Sequence, residues 1–152
     1  MLFVKTLHVL GAVLFLGNII VSAFWKTLAD RDGRLPVLRF ATRLVNVTDL
    51  VFTAGGAVLL TVCGHLLAGQ YGGVAAQGWI WQAYAWFGLS GLIWLAVLLP
   101  VQIRQSRLLA ALPDDAAVPE AYWRLSRLWM IAGTLATFAP LPALWLMIAR
   151  GA

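Results

Sequence analysis

Four runs of mostly apolar residues constrain the fold of this chain more than any other feature of its sequence. They cover about residues 2–25, 45–67, 79–101 and 128–148. A helix that crosses the hydrocarbon core of a bilayer needs about 20 such residues, so each run predicts one membrane-spanning helix. Together they predict an all-α integral membrane protein, a four-helix bundle that forms a single domain over residues 1–152.

The composition excludes a soluble globular domain. Apolar residues make up 62% of the chain and charged residues only 11%, whereas an average soluble domain is about 45–50% apolar. A soluble fold of this length could not bury so many apolar side chains, because its surface would also have to be apolar. We therefore expect the lipid bilayer to be the environment of this chain.

The distribution of lysine and arginine predicts the orientation of the helices. Nine of the eleven basic residues lie in the first and third connections between the runs: Lys26, Arg31, Arg34, Arg39, Arg43, Arg104, Arg107, Arg124 and Arg127. Because basic connections stay in the cytoplasm, we expect an up-down topology with both termini external. We also expect a multi-pass protein of the bacterial cytoplasmic (inner) membrane. The same charges favour a retained first helix over a cleaved signal peptide.

The net charge of +5 does not indicate a nucleic-acid partner. The basic residues flank the apolar runs and form no amphipathic basic surface of the kind that binds nucleic acid. The sequence has no nucleophile–base pair, phosphate-binding loop or metal-binding motif, so hydrolase and nucleotide-dependent chemistry are not expected. The partners that we expect are the bilayer and either a second copy of the chain or a membrane partner protein.

A polar stripe follows one face of the first predicted helix. At about 100° per residue, His8, Asn18 and Ser22 share this face, which should point into the bundle because lipid offers no hydrogen-bond partners. A neutral imidazole can bind haem iron or transfer protons. His8 is therefore a candidate metal ligand for haem b, with Lys5 and Asn18 as supporting side chains. The alternative is an interfacial histidine bonded to a neighbouring helix.

Asp49 is the second candidate, near the predicted cytoplasmic end of the second helix. A carboxylate at that depth requires a cation or hydrogen-bond donors. Arg43 and Arg124 lie on the same predicted side of the membrane. The sequence leaves two alternatives for Asp49: a buried polar group or ion pair that joins helices, or a group that handles protons or binds a ligand.

Three segments resemble a bacterial family of predicted integral membrane proteins of unknown function. They are Lys5-Thr-Leu-His8-Val-Leu-Gly, Arg43-Leu-Val-Asn-Val-Thr-Asp49-Leu-Val-Phe-Thr53 and Tyr122-Trp-Arg-Leu-Ser-Arg127. The resemblance covers nearly the whole chain. It implies an integral membrane fold and supplies no activity.

A more distant resemblance is to the haem-binding membrane protoporphyrinogen oxidases. The spacing of Lys5 and His8 is similar to the Lys-x-x-His pattern of their first helix, and Arg104 and Arg107 are similar to the basic cluster that ends their third helix. Those oxidases also carry a histidine in the third helix, where this chain has leucine, isoleucine and tryptophan. The resemblance implies haem b as a cofactor, with His8 as an axial ligand.

These features lead to three hypotheses for the function. The first is a haem-b redox protein with His8 as axial ligand. The second is a non-catalytic membrane assembly or helper subunit, which the small size and the lack of a paired catalytic constellation favour. The third is a small oligomeric transporter or proton-handling protein that uses Asp49. The sequence leaves open whether the protein is an enzyme.

Overall fold

The computed structural model describes residues 1–150, and four long helices account for most of them. Their bounds are α1 Leu2–Asp32, α2 Leu35–Tyr71, α3 Gly78–Ala110 and α4 Glu120–Arg150. Each is long and apolar enough to cross a membrane, and the described residues include no strand. The prediction of an all-helical fold with four helices of membrane-spanning length is confirmed. The up-down order, the external termini and the single domain stay predictions.

The helices extend beyond the apolar runs that predict them. α1 continues to Asp32, and Gly33 follows it with a φ of 72°. Glycine adopts this left-handed conformation without a Cβ clash, which makes it the usual residue after a helix end. Only Gly33 and Arg34 separate α1 from α2, and Pro36 lies in the first turn of α2, where no N–H is needed. The basic connection between the first two runs is therefore mostly helical.

The other two connections contain little regular structure. α2 ends in a 3-10 turn, Gly69–Tyr71, and a second such turn, Val74–Ala76, precedes α3. Between these turns Gly72 and Gly73 have φ values of 86° and 101°. Residues 111–119 join α3 to α4.

Two segments of the helices are wider than an α-helix. α2 contains a π-helical segment, Asp49–Ala54, and α3 contains a second one, Trp94–Leu98. Pro100 follows the second segment. Because proline donates no backbone hydrogen bond and its ring crowds the preceding turn, it favours an irregular turn at this place.

α4 is divided at Pro140 into the helices Glu120–Phe138 and Leu141–Arg150. Pro140 has no N–H, so the carbonyl of Ala136, four residues earlier, has no helical donor. Ser90 of α3 donates its hydroxyl to that carbonyl at 2.7 Å. A neighbouring helix thus satisfies the carbonyl that the break leaves open.

α1 and α2 approach each other closely through glycine. A Cβ added at Gly56 would lie 2.8 Å from the backbone nitrogen of Phe15, and one added at Gly11 would lie 2.9 Å from that of Leu60. Small residues allow membrane helices to pack at this distance. The close approach brings Asn18 of α1 within hydrogen-bond distance of the π-segment in α2.

The core lies between the helices in two apolar clusters. One includes Leu38, Leu109 and Tyr122, and the other includes Val45 and Trp129. The outer surface is apolar as well. Its exposed side chains include Val13, Leu50, Val58, Leu92 and Ile131. Such a surface would promote aggregation in water, whereas in a bilayer it contacts lipid.

Candidate functional site

The carboxylate of Asp49 is 5% exposed and accepts four hydrogen bonds. Its Oδ1 accepts from Asn18 Nδ2 at 2.8 Å and from the Thr53 hydroxyl at 3.1 Å. Its Oδ2 accepts from Gln102 Nε2 at 2.7 Å and from Trp94 Nε1 at 3.3 Å. Asn18 also donates to the Thr53 hydroxyl at 2.9 Å. These five residues, from α1, α2 and α3, are called the Asp49 cluster below.

The two π-segments supply most of this cluster. Asp49 begins the π-segment of α2, and Thr53 follows four residues later within it. Trp94 begins the π-segment of α3, and Gln102 lies eight residues further along that helix. Such segments occur frequently at functional sites. A carboxylate has about four lone-pair sites, and here four neutral donors occupy them.

The basic residues expected near Asp49 lie elsewhere. Arg43 and Arg124 are exposed, and no ion pair within residues 1–150 joins Asp49 to a basic side chain. Arg43 precedes Asp49 by six residues, which is about 240° around a helix, so it lies on another face. Asp49 is a buried polar group, and the described chain does not bring Arg43 or Arg124 to it.

A cavity of about 180 Å³ lies beside the Asp49 cluster. Asp49 and Thr53 contribute polar groups to its wall, and Phe15, Trp94 and Trp129 contribute aromatic rings. Exposed side chains of α1 and α4 also line it: Ile20, Phe24 and Phe138. The cavity therefore opens between α1 and α4 toward the apolar outer surface.

Two of the residues that line this cavity each have one buried polar atom without a hydrogen-bond partner within residues 1–150. These atoms are the hydroxyl of Ser22 and the indole N–H of Trp129. The two residues are 2% and 5% exposed. Leaving a buried polar group without a partner costs about 1–3 kcal/mol. Both atoms therefore have unused hydrogen-bonding capacity in the residues around the cavity.

A second buried polar cluster joins α1 to α4. Lys26 Nζ donates to both carboxylate oxygens of Asp30 at 2.7 Å and to the hydroxyls of Tyr122 and Ser126 at 2.9 Å. Tyr122 donates to Asp30 at 2.7 Å, and Ser126 also bonds to Asp30. Lys26 is 1% exposed, and Asp30 neutralises its charge. These four residues are called the Lys26 cluster below.

His8 belongs to neither cluster. Its ring is half-buried, with Nδ1 3.1 Å from the carbonyl oxygen of Leu60. The ring packs against Gly64, where an added Cβ would lie 3.0 Å from Cε1. Asn18 is ten residues further along α1, about 15 Å away along the helix, and it bonds within the Asp49 cluster instead. Lys5 is exposed one turn before His8.

The prediction that His8 binds haem iron stays a prediction. A hydrogen bond from Nδ1 to a backbone carbonyl would leave Nε2 for a metal, which is the arrangement that ligating histidines use. Among the described residues, no group of three His, Cys, Asp or Glu side chains could hold a metal ion. His8 does not line the cavity beside Asp49.

The sequence indicates Asn18 and Asp49 but not most of their partners. Thr53 is the exception, because a residue four positions after Asp49 lies on nearly the same helix face. The third apolar run gives no sign of which side chains face the carboxylate. The sequence contains one sign of the Lys26 cluster: Lys26 and Asp30 are four residues apart, so they lie on the same helix face and can form an ion pair. An analysis that uses Lys26 only to orient the helices in the membrane does not detect this pair.

A family model described as "Predicted integral membrane protein (DUF2269)" matches residues 2–151 of the chain. The chain belongs to this family. The match confirms the resemblance to integral membrane proteins of unknown function. No curated protein and no solved structure matches the chain.

The family match states that this is an integral membrane protein and gives it no activity. The distant resemblance to haem-binding oxidases receives no support from it. Haem binding, an assembly role, transport, a homo-oligomer or partner protein, and the bacterial inner membrane all stay predictions.

Proposed function

We propose that the protein is a small membrane transporter or proton-handling protein whose working group is the carboxylate of Asp49. The observation that carries this proposal is a buried carboxylate that accepts hydrogen bonds only from neutral groups. Ionisable side chains inside a membrane are energetically costly, and they commonly mark ion pathways and proton relays.

The charge balance inside the bundle supports the same proposal. Lys26 and Asp49 are the charged side chains among the buried polar residues of the described chain, and Lys26 is neutralised by Asp30. The groups that contact Asp49 are two amides, a hydroxyl and an indole, none of which titrates near neutral pH. Buried charges are normally paired. A proton or a bound cation would supply the missing positive charge.

The side chain of Gln102 could serve both protonation states of Asp49. Its Nε2 donates to the carboxylate, while its Oε1 is buried and has no hydrogen-bond partner within residues 1–150. A half-turn of the amide would exchange the two atoms, so that Oε1 accepts a hydrogen bond from a protonated carboxyl group. Gln102 would therefore bond to Asp49 in both its ionised and its protonated form.

Infrared difference spectroscopy of the protein in lipid nanodiscs tests whether Asp49 exchanges a proton. We expect a pH-dependent carbonyl band of a buried carboxylic acid in the wild type, and its loss in Asp49→Asn. Asp32→Asn is the matched control, because it removes an exposed carboxylate at the end of α1. The same three proteins in liposomes report whether proton or cation flux depends on Asp49.

A carbonyl band that is unchanged in Asp49→Asn would mean that another group titrates. Absence of any pH-dependent band in the wild type would contradict proton exchange at Asp49. Flux that Asp49→Asn leaves at the wild-type rate would remove the transport proposal.

Haem b held by His8 is the second candidate function. The observation that favours it is the contact of His8 Nδ1 with the Leu60 carbonyl, which would leave Nε2 for the iron. Haem b would supply one-electron redox chemistry. In this proposal His8 holds the iron, and the Leu60 carbonyl fixes the orientation of the imidazole ring.

The visible spectrum of the protein purified from haem-replete cells tests the second candidate. We expect a Soret band that His8→Ala abolishes and that His65→Ala leaves in place, since His65 is exposed and is the chain's other histidine. A colourless wild-type preparation would contradict haem binding. A Soret band of equal height in His8→Ala would place the ligand elsewhere.

A further inference from the structure

The cavity beside Asp49 combines a carboxylate, aromatic rings and free polar atoms. We propose that it binds a small monovalent organic ammonium ion, with the cationic group opposite Asp49 and the apolar body between the aromatic side chains. This inference rests on the proposed function, because both require that Asp49 carry the working charge. It adds the chemical class of the ligand.

The size of the cavity sets the size of the ligand. Its volume of about 180 Å³ is below the range of about 300–1,000 Å³ that is usual for drug-sized ligands. An engineered apolar cavity of about 150 Å³ in another protein binds benzene. The space beside Asp49 therefore fits one aromatic ring or a short branched alkyl group together with one ammonium group.

The cavity walls favour a cation with an apolar body. Phe15 and Trp94 line it, together with Trp129, whose ring already has the Lys26 ammonium 5.9 Å from its centroid. The faces of such rings attract ammonium groups, most strongly when water is excluded. Within residues 1–150 no cationic side chain lines the cavity. An anionic ligand would face the Asp49 carboxylate without compensation, and a neutral ligand would leave that carboxylate unbalanced.

The hydrogen bonds around the cavity define how the ammonium group would be held. The lone-pair sites of Asp49 are already occupied by the donors of its cluster, so its contribution to binding is its charge. The hydroxyl of Ser22 is buried and unpartnered in the described chain, and rotation of its side chain toward the cavity would let it accept a hydrogen bond from an ammonium N–H. Asp49 would thus supply attraction, and Ser22 would supply direction.

The position of the opening indicates how the ligand arrives. Ile20, Phe24 and Phe138 line the cavity and are exposed on the apolar outer surface of α1 and α4. A ligand that enters there must partition into the bilayer, which an amine with an apolar body does in its neutral form. It would then take the proton of the neutral Asp49 carboxyl group, which leaves an ammonium ion beside the Asp49 carboxylate.

Isothermal titration calorimetry of the protein in lipid nanodiscs tests this inference with two probes of matched size. Benzylamine is protonated at neutral pH, and benzyl alcohol has the same number of non-hydrogen atoms but no charge. Empty nanodiscs provide the correction for partitioning into lipid. We expect the wild type to bind benzylammonium at least about tenfold more tightly than benzyl alcohol.

Two variants test separately how the Asp49 charge and the cavity volume contribute to binding. Asp49→Asn should remove the preference for benzylammonium and leave the affinity for benzyl alcohol as it is, whereas Asp32→Asn should keep the preference. Gly133→Leu fills the cavity, where an added Cβ would meet its nearest neighbour, Leu98 Cδ2, at 3.9 Å. It should weaken the binding of both probes and leave the Asp49 carbonyl band intact.

Equal affinity of the wild type for the two probes, or no binding of either, would overturn the inference. So would a preference for benzylammonium that survives in Asp49→Asn. If the infrared band of Asp49 responds to pH while benzylammonium fails to bind, the proposed function stands and this inference fails. If the band is absent and flux does not depend on Asp49 either, both fail.

Discussion

The two buried polar clusters of this protein differ in how their charge is balanced. In the Lys26 cluster an ammonium and a carboxylate lie 2.7 Å apart, and two hydroxyls complete their hydrogen bonds. In the Asp49 cluster a carboxylate meets four neutral donors and no cation from the described chain. A balanced cluster can tie helices together by itself. An unbalanced one has a charge to offer to a proton or a ligand.

The surroundings of the two clusters also differ, because one cluster is packed into the core and the other lies beside a cavity. Tyr122 of the Lys26 cluster packs into the apolar core with Leu38 and Leu109, where the side chains are fully buried. The Asp49 cluster borders the cavity of about 180 Å³. The comparison therefore separates a site that joins α1 to α4 from a site that has space for another molecule.

The largest effect should come from unbalancing the Lys26 cluster. Asp30→Asn leaves the Lys26 ammonium buried without its counter-charge, and breaking a buried ion pair in this way costs about 3–5 kcal/mol. We expect this loss in the free energy of unfolding, measured by reversible denaturation in mixed micelles. The double variant Lys26→Met/Asp30→Leu removes both charges and should recover part of the loss, because the hydroxyls of Tyr122 and Ser126 then lack their partners. A double variant as unstable as the single one would show that charge balance is not the cause.

A smaller effect should come from separating α1 and α2 beside the Asp49 cluster. In Gly56→Ala the new Cβ would lie 2.8 Å from the backbone nitrogen of Phe15, so the helices must move apart at a cost of about 1–3 kcal/mol. Gly55→Ala is the matched control, because nothing lies within 4 Å of a Cβ there. We also expect Gly56→Ala to weaken benzylammonium binding, since it moves Asn18 away from Asp49. Equal stability of the two alanine variants would contradict this close contact.

The smallest change in stability should come from neutralising Asp49. Asparagine keeps the size of the side chain, and the unpartnered Gln102 Oε1 can accept a hydrogen bond from its new amide. The Trp94 N–H loses its acceptor, but removal of the buried charge offsets this cost. We therefore expect Asp49→Asn to change the free energy of unfolding by less than about 1 kcal/mol. The same type of substitution at Asp30 should cost several times more. A loss at Asp49 as large as that at Asp30 would mean that its charge holds the fold together.

The helices of this protein are predictable from the sequence because their signal is local. Each apolar run is long enough to span a bilayer by itself, and lipid requires that its backbone hydrogen bonds close within the helix. The ends of the runs are less predictable. Residues such as Lys26 and Asp30 look like solvated flanking charges, yet α1 continues through them and buries Lys26 against α4, with Asp30 half-buried beside it.

The candidate site is only partly predictable because its geometry is not local. Asn18 and Asp49 lie on the expected inner faces, and both are buried. Trp94 and Gln102 reach the same carboxylate only after α3 packs against α2, which a single-helix pattern does not contain. The π-segment between these two residues also adds one residue to a turn, which changes the face on which later side chains lie.

The bond between Ser90 and the open carbonyl of Ala136 has a mechanical consequence for the cavity. An ordinary helix carries all of its own backbone bonds and can rotate or slide past its neighbours as a rigid rod. At the proline break, α4 instead depends on a side chain of α3 for one of these bonds. Ser90 and Ala136 both line the cavity. These two walls are therefore coupled, so a movement of α3 at Ser90 is transmitted to α4 at Ala136 and changes two sides of the cavity together.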